Sequence, residues 1–122
     1  MAKRLMTVDD SQTVRQALEM ILTEAGYEVV EAVDGLDALG KWEECPVDML
    51  ITDLHMPNLN GIELIKKIRQ KPGSKFVPII MLTSESQPEM KEEGKKAGAS
   101  GWIVKPFSPE QLLEIVKMVC PS

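Results

Sequence analysis

Asp9, Asp10, Asp53, Thr83 and Lys105 each stand just past the end of a short apolar run. Leu5-Met6-Thr7-Val8 leads into Asp9-Asp10, Met49-Leu50-Ile51-Thr52 into Asp53, Ile79-Ile80-Met81-Leu82 into Thr83, and Trp102-Ile103-Val104 into Lys105. If these runs are strands of one parallel sheet, five polar groups meet at the edge where open α/β sheets bind ligands. Three carboxylates gathered there repel one another, and such a cluster is relieved by proton uptake or by a divalent cation. The all-oxygen donor set favours Mg2+, which keeps several waters and takes one or two carboxylates together with phosphate oxygens. Lys105 adds a point charge that can pair with Asp53 at rest and with a phosphoryl oxygen afterwards, and Thr83 adds a hydroxyl donor. A carboxylate so surrounded is equipped to accept a phosphoryl group, and Asp53, at the end of the central third strand, is the natural acceptor. Each piece alone has a plainer reading, since Asp10 or Ser11 can simply cap a helix and Lys105-Pro106 can be a loop. The conjunction at four strand ends carries the argument.

The elements that must position these groups follow from hydrophobic period. Val14, Leu18, Ile21, Leu22 and Ala25 share one helix face, closed by Gly26. Tyr27 to Ala32 reads as the second strand, and Leu36, Leu39 and Trp42 begin a second helix behind Asp34-Gly35 that ends before Pro46. Leu64, Ile65 and Ile68 give a third helix stopping before Lys71-Pro72-Gly73. A fourth, from Pro88 to Ala97, has Met90 and little else apolar, with nearly balanced charges and Gly94 inside it. Glycine there weakens a helix by about 1 kcal/mol relative to alanine, which suits a weakly anchored, responsive element. Leu112, Leu113, Val116 and Val119 give the fifth, with Ser108 as cap and Pro109 at its first position. Alternating strands and helices predict an α/β fold with a parallel sheet. Strands one, three and four read as uncharged apolar runs suited to burial on both faces. The second carries Glu28 and Glu31 and the fifth is short, so both belong at the edges. The expectation is a flavodoxin-like, doubly wound five-stranded parallel sheet in the order 2-1-3-4-5 with five helices.

The chain has 122 residues, which predicts one domain over residues 1–122. Its net charge is −5, with no lysine or arginine run beyond pairs, so contact with nucleic acid is not expected. No apolar stretch approaches the ~20 residues of a membrane span and the N-terminus lacks a signal-peptide core, which predicts a cytoplasmic protein without membrane insertion. Cys45 and Cys120 lack metal-type spacing and His55 is the only histidine. A zinc set is therefore excluded, and both cysteines read as free thiols.

Val8-Asp9-Asp10-Ser11, the stretch from Asp53 through Met56-Pro57 to Gly61, Leu82-Thr83-Ser84, and Ala97-Gly98-Ala99-Ser100-Gly101-Trp102-Ile103-Val104-Lys105-Pro106-Phe107 stand in order at suitable separations. With them the chain resembles, over its whole length, a response-regulator receiver domain of the single-domain chemotaxis (CheY) type. The resemblance implies that a sensor histidine kinase donates a phosphoryl group to Asp53. Mg2+ is then held by Asp10, Asp53 and the backbone carbonyl of His55, with Asp9 acting through a bound water. Thr83 moves to hydrogen-bond the phosphoryl group, Lys105 pairs with it, and the Lys105-Pro106 peptide is cis.

Phosphorylation adds charge and acceptor oxygens that Thr83 and Lys105 meet only if the loop after strand four closes. In the family, a tyrosine or phenylalanine on strand five then rotates inward and alters the surface of helix four, strand five and helix five. Here that position is Trp102, whose bulkier indole needs more room and a partner for its N–H when buried; packing in one state is the alternative. His55 and Glu85, two residues beyond Asp53 and Thr83, stand where side chains can screen the acyl phosphate from water, unless both are merely solvated rim residues.

The expected function is thus a signalling switch of a two-component system rather than an enzyme, catalysing only its own phosphorylation and dephosphorylation. Its partners would be the kinase, an output protein such as a flagellar motor switch, and a phosphatase, with the chain itself monomeric. A phosphorelay shuttle, a phosphate sink and a receiver cut from a longer regulator are the alternatives. An aspartyl-phosphate phosphatase of the haloacid dehalogenase type would need an Asp where Ser11 stands.

Overall fold

The computed structural model describes residues 2–84 and 88–121. The expected alternation of strands and helices is present: β1 (Arg4–Val8), α1 (Gln12–Glu24), β2 (Glu28–Ala32), α2 (Gly35–Glu44), β3 (Met49–Thr52), α3 (Gly61–Arg69), β4 (Ile79–Thr83), α4 (Pro88–Ala97), β5 (Gly101–Val104) and α5 (Pro109–Val119). The strands form one sheet in the order β2-β1-β3-β4-β5, with all neighbours parallel. The two strands with polar or short sequences lie at the edges, as charge distribution required.

Strand alternation divides the core in two. Met6, Val8, Leu50, Ile79 and Met81 face α2, α3 and α4, where Trp42, Leu64, Ile65, Ile68 and Ala97 pack. Leu5, Met49, Ile51, Ile80 and Leu82 face α1 and α5, meeting Leu18, Leu22, Leu112 and Val116. Helices on both faces leave the carboxyl edge of the sheet open, and this is the edge that carries the polar groups.

Local chemistry sets the helix starts. Ser11, rather than Asp10, caps α1, its hydroxyl accepting from the Val14 N–H at 3.3 Å. Asp34 caps α2 through the Asp37 N–H. Ser108 caps α5 with Gln111 answering reciprocally, and Pro109 occupies the first turn. Gly26, just past α1, adopts φ +97°, the left-handed conformation a helix C-terminus favours. On α2 the apolar face differs from the sequence reading. Leu36 is 56% exposed while Ala38 and Trp42 are buried, because Gly35 sits against Leu59 and turns the next residue outward.

Candidate active site

Asp9, Asp53 and Lys105 each extend the sheet by one backbone hydrogen bond past the strand proper. The Asp9 N–H donates to the Ala32 carbonyl, that of Asp53 to Val8 and that of Lys105 to Thr83. Their Cα positions are thereby fixed by the ladder rather than by loop conformation. Thr83 ends β4 opposite Val104 and is fully buried.

Asp9, Asp10 and Asp53 each bring one carboxylate oxygen to within 4.8 Å of the others. Asp9 and Asp53 are buried while Asp10 is exposed, so the cluster opens to solvent on one side only. Asp9 has both oxygens engaged: one accepts the Ser11 N–H at 2.9 Å, the other the Lys105 ammonium at 2.7 Å. Lys105 Nζ is 3.4 Å from Asp53. The lysine thus bridges two carboxylates and sits closer to Asp9, whereas the sequence reading paired it with Asp53. One Asp53 oxygen accepts the Leu54 N–H at 2.7 Å.

The charges act on one another as these distances require. Burial, and then the Asp9 charge, push the Asp53 carboxyl above the ordinary carboxylate range against the pull of Lys105 and the Leu54 N–H. Burial alone would lower the Lys105 ammonium, but its bonds to Asp9 and Asp53 outweigh that and hold it raised.

His55 is exposed on the rim and Trp102 is half-buried on β5. The Lys105-Pro106 peptide is cis. Glu85 lies outside the described residues. Three supporting residues were not singled out from sequence. Arg15 on α1 donates to the Asp9 carbonyl at 2.7 Å and pairs with Glu31 at 3.3 Å. Asn60 caps α3 in a reciprocal pairing with Glu63, a signal present in the spacing Asn60-x-x-Glu63. Gly61 opens α3 so close to the end of β3 that a Cβ there would overlap the Asp53 carbonyl. Only glycine lets this helix start against the end of β3.

Residues 5–117 match the response regulator receiver domain family. The chain belongs to that family. The receiver is 41% identical over 121 residues to the chemotaxis protein CheY of Thermotoga maritima, covering 98% of each. It superposes on the chemotaxis protein CheY4 of Vibrio cholerae with a TM-score of 0.94 and 45% identity, covering 98% of this chain and 99% of that one. A more distant receiver, that of the sensor histidine kinase PA1611 of Pseudomonas aeruginosa, is 27% identical with a TM-score of 0.90 over the full length of both chains. In that structure a magnesium ion is coordinated in the active site cleft. The receiver described here is a homologue of CheY response regulators of two-component signalling, and it carries an acidic cluster at the corresponding kind of cleft.

Proposed function

We propose that this receiver accepts a phosphoryl group on Asp53 from a histidine kinase and signals by protein contact, as a chemotaxis regulator. The observation that carries the reading is the cluster itself: three carboxylates within 4.8 Å, one of them bridged to its neighbour by Lys105. Among them Asp53 holds one oxygen on the Leu54 N–H and has Lys105 beside the other, so its carboxylate is oriented for attack on phosphorus.

The donor set fits Mg2+. It is all oxygen, open to water at Asp10 and too sparse for a closed protein cage. Asp10, Asp53 and the His55 backbone carbonyl would hold the ion, and when bound it neutralises the charge that develops on transferring phosphoryl oxygens. Asp9 fixes Lys105 and the Ser11 N–H and would act on the ion mainly through a bound water. Attack forms the Asp53 oxygen–phosphorus bond as the donor's bond to phosphorus breaks. Lys105 and the Thr83 hydroxyl then stabilise the added negative charge.

Two surfaces support protein partners. An apolar groove of about 550 Å³ beside Lys105, lined by Val14, Ala17, Ile21, Pro106, Phe107 and Pro109, suits a helix that presents phosphohistidine. A second of about 500 Å³, including Trp102, Val104, Gln111, Glu114 and Ile115, lies on the β5–α5 face proposed for output. We take residues 1–122 as one receiver domain, a cytoplasmic monomer that performs no chemistry beyond gaining and losing its phosphoryl group. Among the described residues no helix is long and apolar enough to cross a membrane.

The test is intact mass after incubation with Mg2+ and a small acyl-phosphate donor. The proposal expects one phosphoryl adduct, absent in chelator and in Asp53→Asn. No adduct from any donor would remove it.

A further inference from the structure

Gly94 stands inside α4, where glycine weakens a helix by about 1 kcal/mol relative to alanine, and it is buried. Packing supplies the reason. A Cβ on Gly94 would lie 3.0 Å from Cζ3 and 3.6 Å from Cε3 of Trp102, and 3.7 Å from Cε of Met81. The first distance is shorter than side chains ordinarily adopt, so the six-membered ring of the indole rests on bare helix backbone. Met81 pairs with Trp102 across the β4–β5 ladder. Its sulfur would also lie 3.0 Å from a Cβ on Gly61, the residue that brings α3 against the Asp53 carbonyl. Two glycines therefore flank Met81, one beside the candidate phosphoacceptor and one beneath Trp102.

We propose that Gly94 is a positioning residue matched to Trp102: the recess it leaves in α4 seats the indole and fixes where α4 stands against β5 in the unphosphorylated chain. A large ring on β5 and a missing side chain on α4 are complementary, and close packing leaves no room to change one alone. The contact lies on a packed line from Asp53 through Gly61 and Met81 to Trp102. The consequence for signalling rests on the receiver reading above, whereas the seating of Trp102 is a property of the chain without phosphate.

The experiment is a double-mutant cycle in the unphosphorylated protein, combining Gly94→Ala with Trp102→Ala. Urea midpoints are read together with the two tryptophan indole N–H signals in ¹H–¹⁵N spectra, assigned from the signal lost in Trp102→Ala. Gly94→Ala is expected to lower the midpoint in the native chain and to raise it once the indole is gone. In the native background it should shift the Trp102 signal and leave that of Trp42 in place. If Gly94→Ala fails to fold alone but folds with Trp102→Ala, the obstruction is the indole and the proposal holds. An equal midpoint change in both backgrounds, of either sign, with an unmoved Trp102 signal, overturns it. Because no phosphoryl donor is used, failure of the receiver chemistry would show in the mass experiment and not here.

Discussion

Replacing Asp53 by asparagine removes one charge from the cluster while keeping its shape and an oxygen for the Leu54 N–H. At an effective dielectric of about 20, charges at the outer limit of 4.8 Å repel by about 3.5 kcal/mol, which sets the least the Asp9 term can be. Exposed Asp10, screened by water, adds about 1 kcal/mol. Lys105, at 3.4 Å, offsets these by about 5 kcal/mol on the same scale. The Coulomb terms nearly cancel, which leaves the desolvation of a carboxylate that is 7% exposed. The raised Asp53 pKa, caused first by burial and then by Asp9, has the sign this predicts. An acid raised on folding costs stability when ionised, and the cost fades as pH falls through its folded pKa.

Asp53→Asn should therefore stabilise the chain in chelator near neutral pH, by about 1–2 kcal/mol after relaxation and water access reduce the full desolvation figure. The gain should shrink on acidification. Added Mg2+ should shrink it too, since each tenfold rise in [Mg2+]/Kd above saturation adds about 1.4 kcal/mol to the native chain alone. Urea unfolding followed by tryptophan fluorescence reads the difference. An asparagine chain no more stable than the native one in chelator would mean that Lys105 makes Asp53 a net favourable ion, and would refute the balance worked above.

Lys105→Met leaves Asp9 and Asp53 without their shared cation and should cost about 2–4 kcal/mol in chelator near neutral pH, less at acid pH, by the same unfolding assay. Gly61→Ala should cost about 1–3 kcal/mol and slow adduct formation from acyl phosphate, because the new Cβ displaces α3 from the Asp53 carbonyl. Arg69→Met should cost about 2–3 kcal/mol and speed hydrogen exchange at residues 98–101. Its guanidinium donates to the carbonyls of Gly98, Ser74, Lys75 and Val77, and lysine, lacking the planar fork, should restore only part of the loss.

What sequence revealed was whatever repeats locally. The strand ends announced the site because each Asp, Thr or Lys follows an apolar run directly, and the buried strands announced the sheet order through their lack of charge. The bounds of α4 and the cap of α5 were legible for the same reason, as they depend on neighbours three or four residues away. Contacts across long sequence separations were not. Nothing in the order of residues tells that Lys105 leans toward Asp9, 96 positions away, or that Arg69 reaches the carbonyl of Gly98. Gly94 looked like a weakness of α4 because propensity counts only the helix itself. The indole that explains it comes from β5. That Leu36 lies off the buried face of α2 was not legible, because helical period alone does not say where the face begins, and Gly35 packs against Leu59.

The most direct measurement is where the phosphoryl group sits. Reductive trapping of the acyl phosphate with borohydride, followed by tryptic mapping, separates the segment of residues 42–66, which holds Asp53, from that of residues 5–15, which holds Asp9 and Asp10. The account predicts a single reduced aspartate at Asp53, formed only with Mg2+ present. Reduction at Asp9 or Asp10, or at no aspartate, would contradict it.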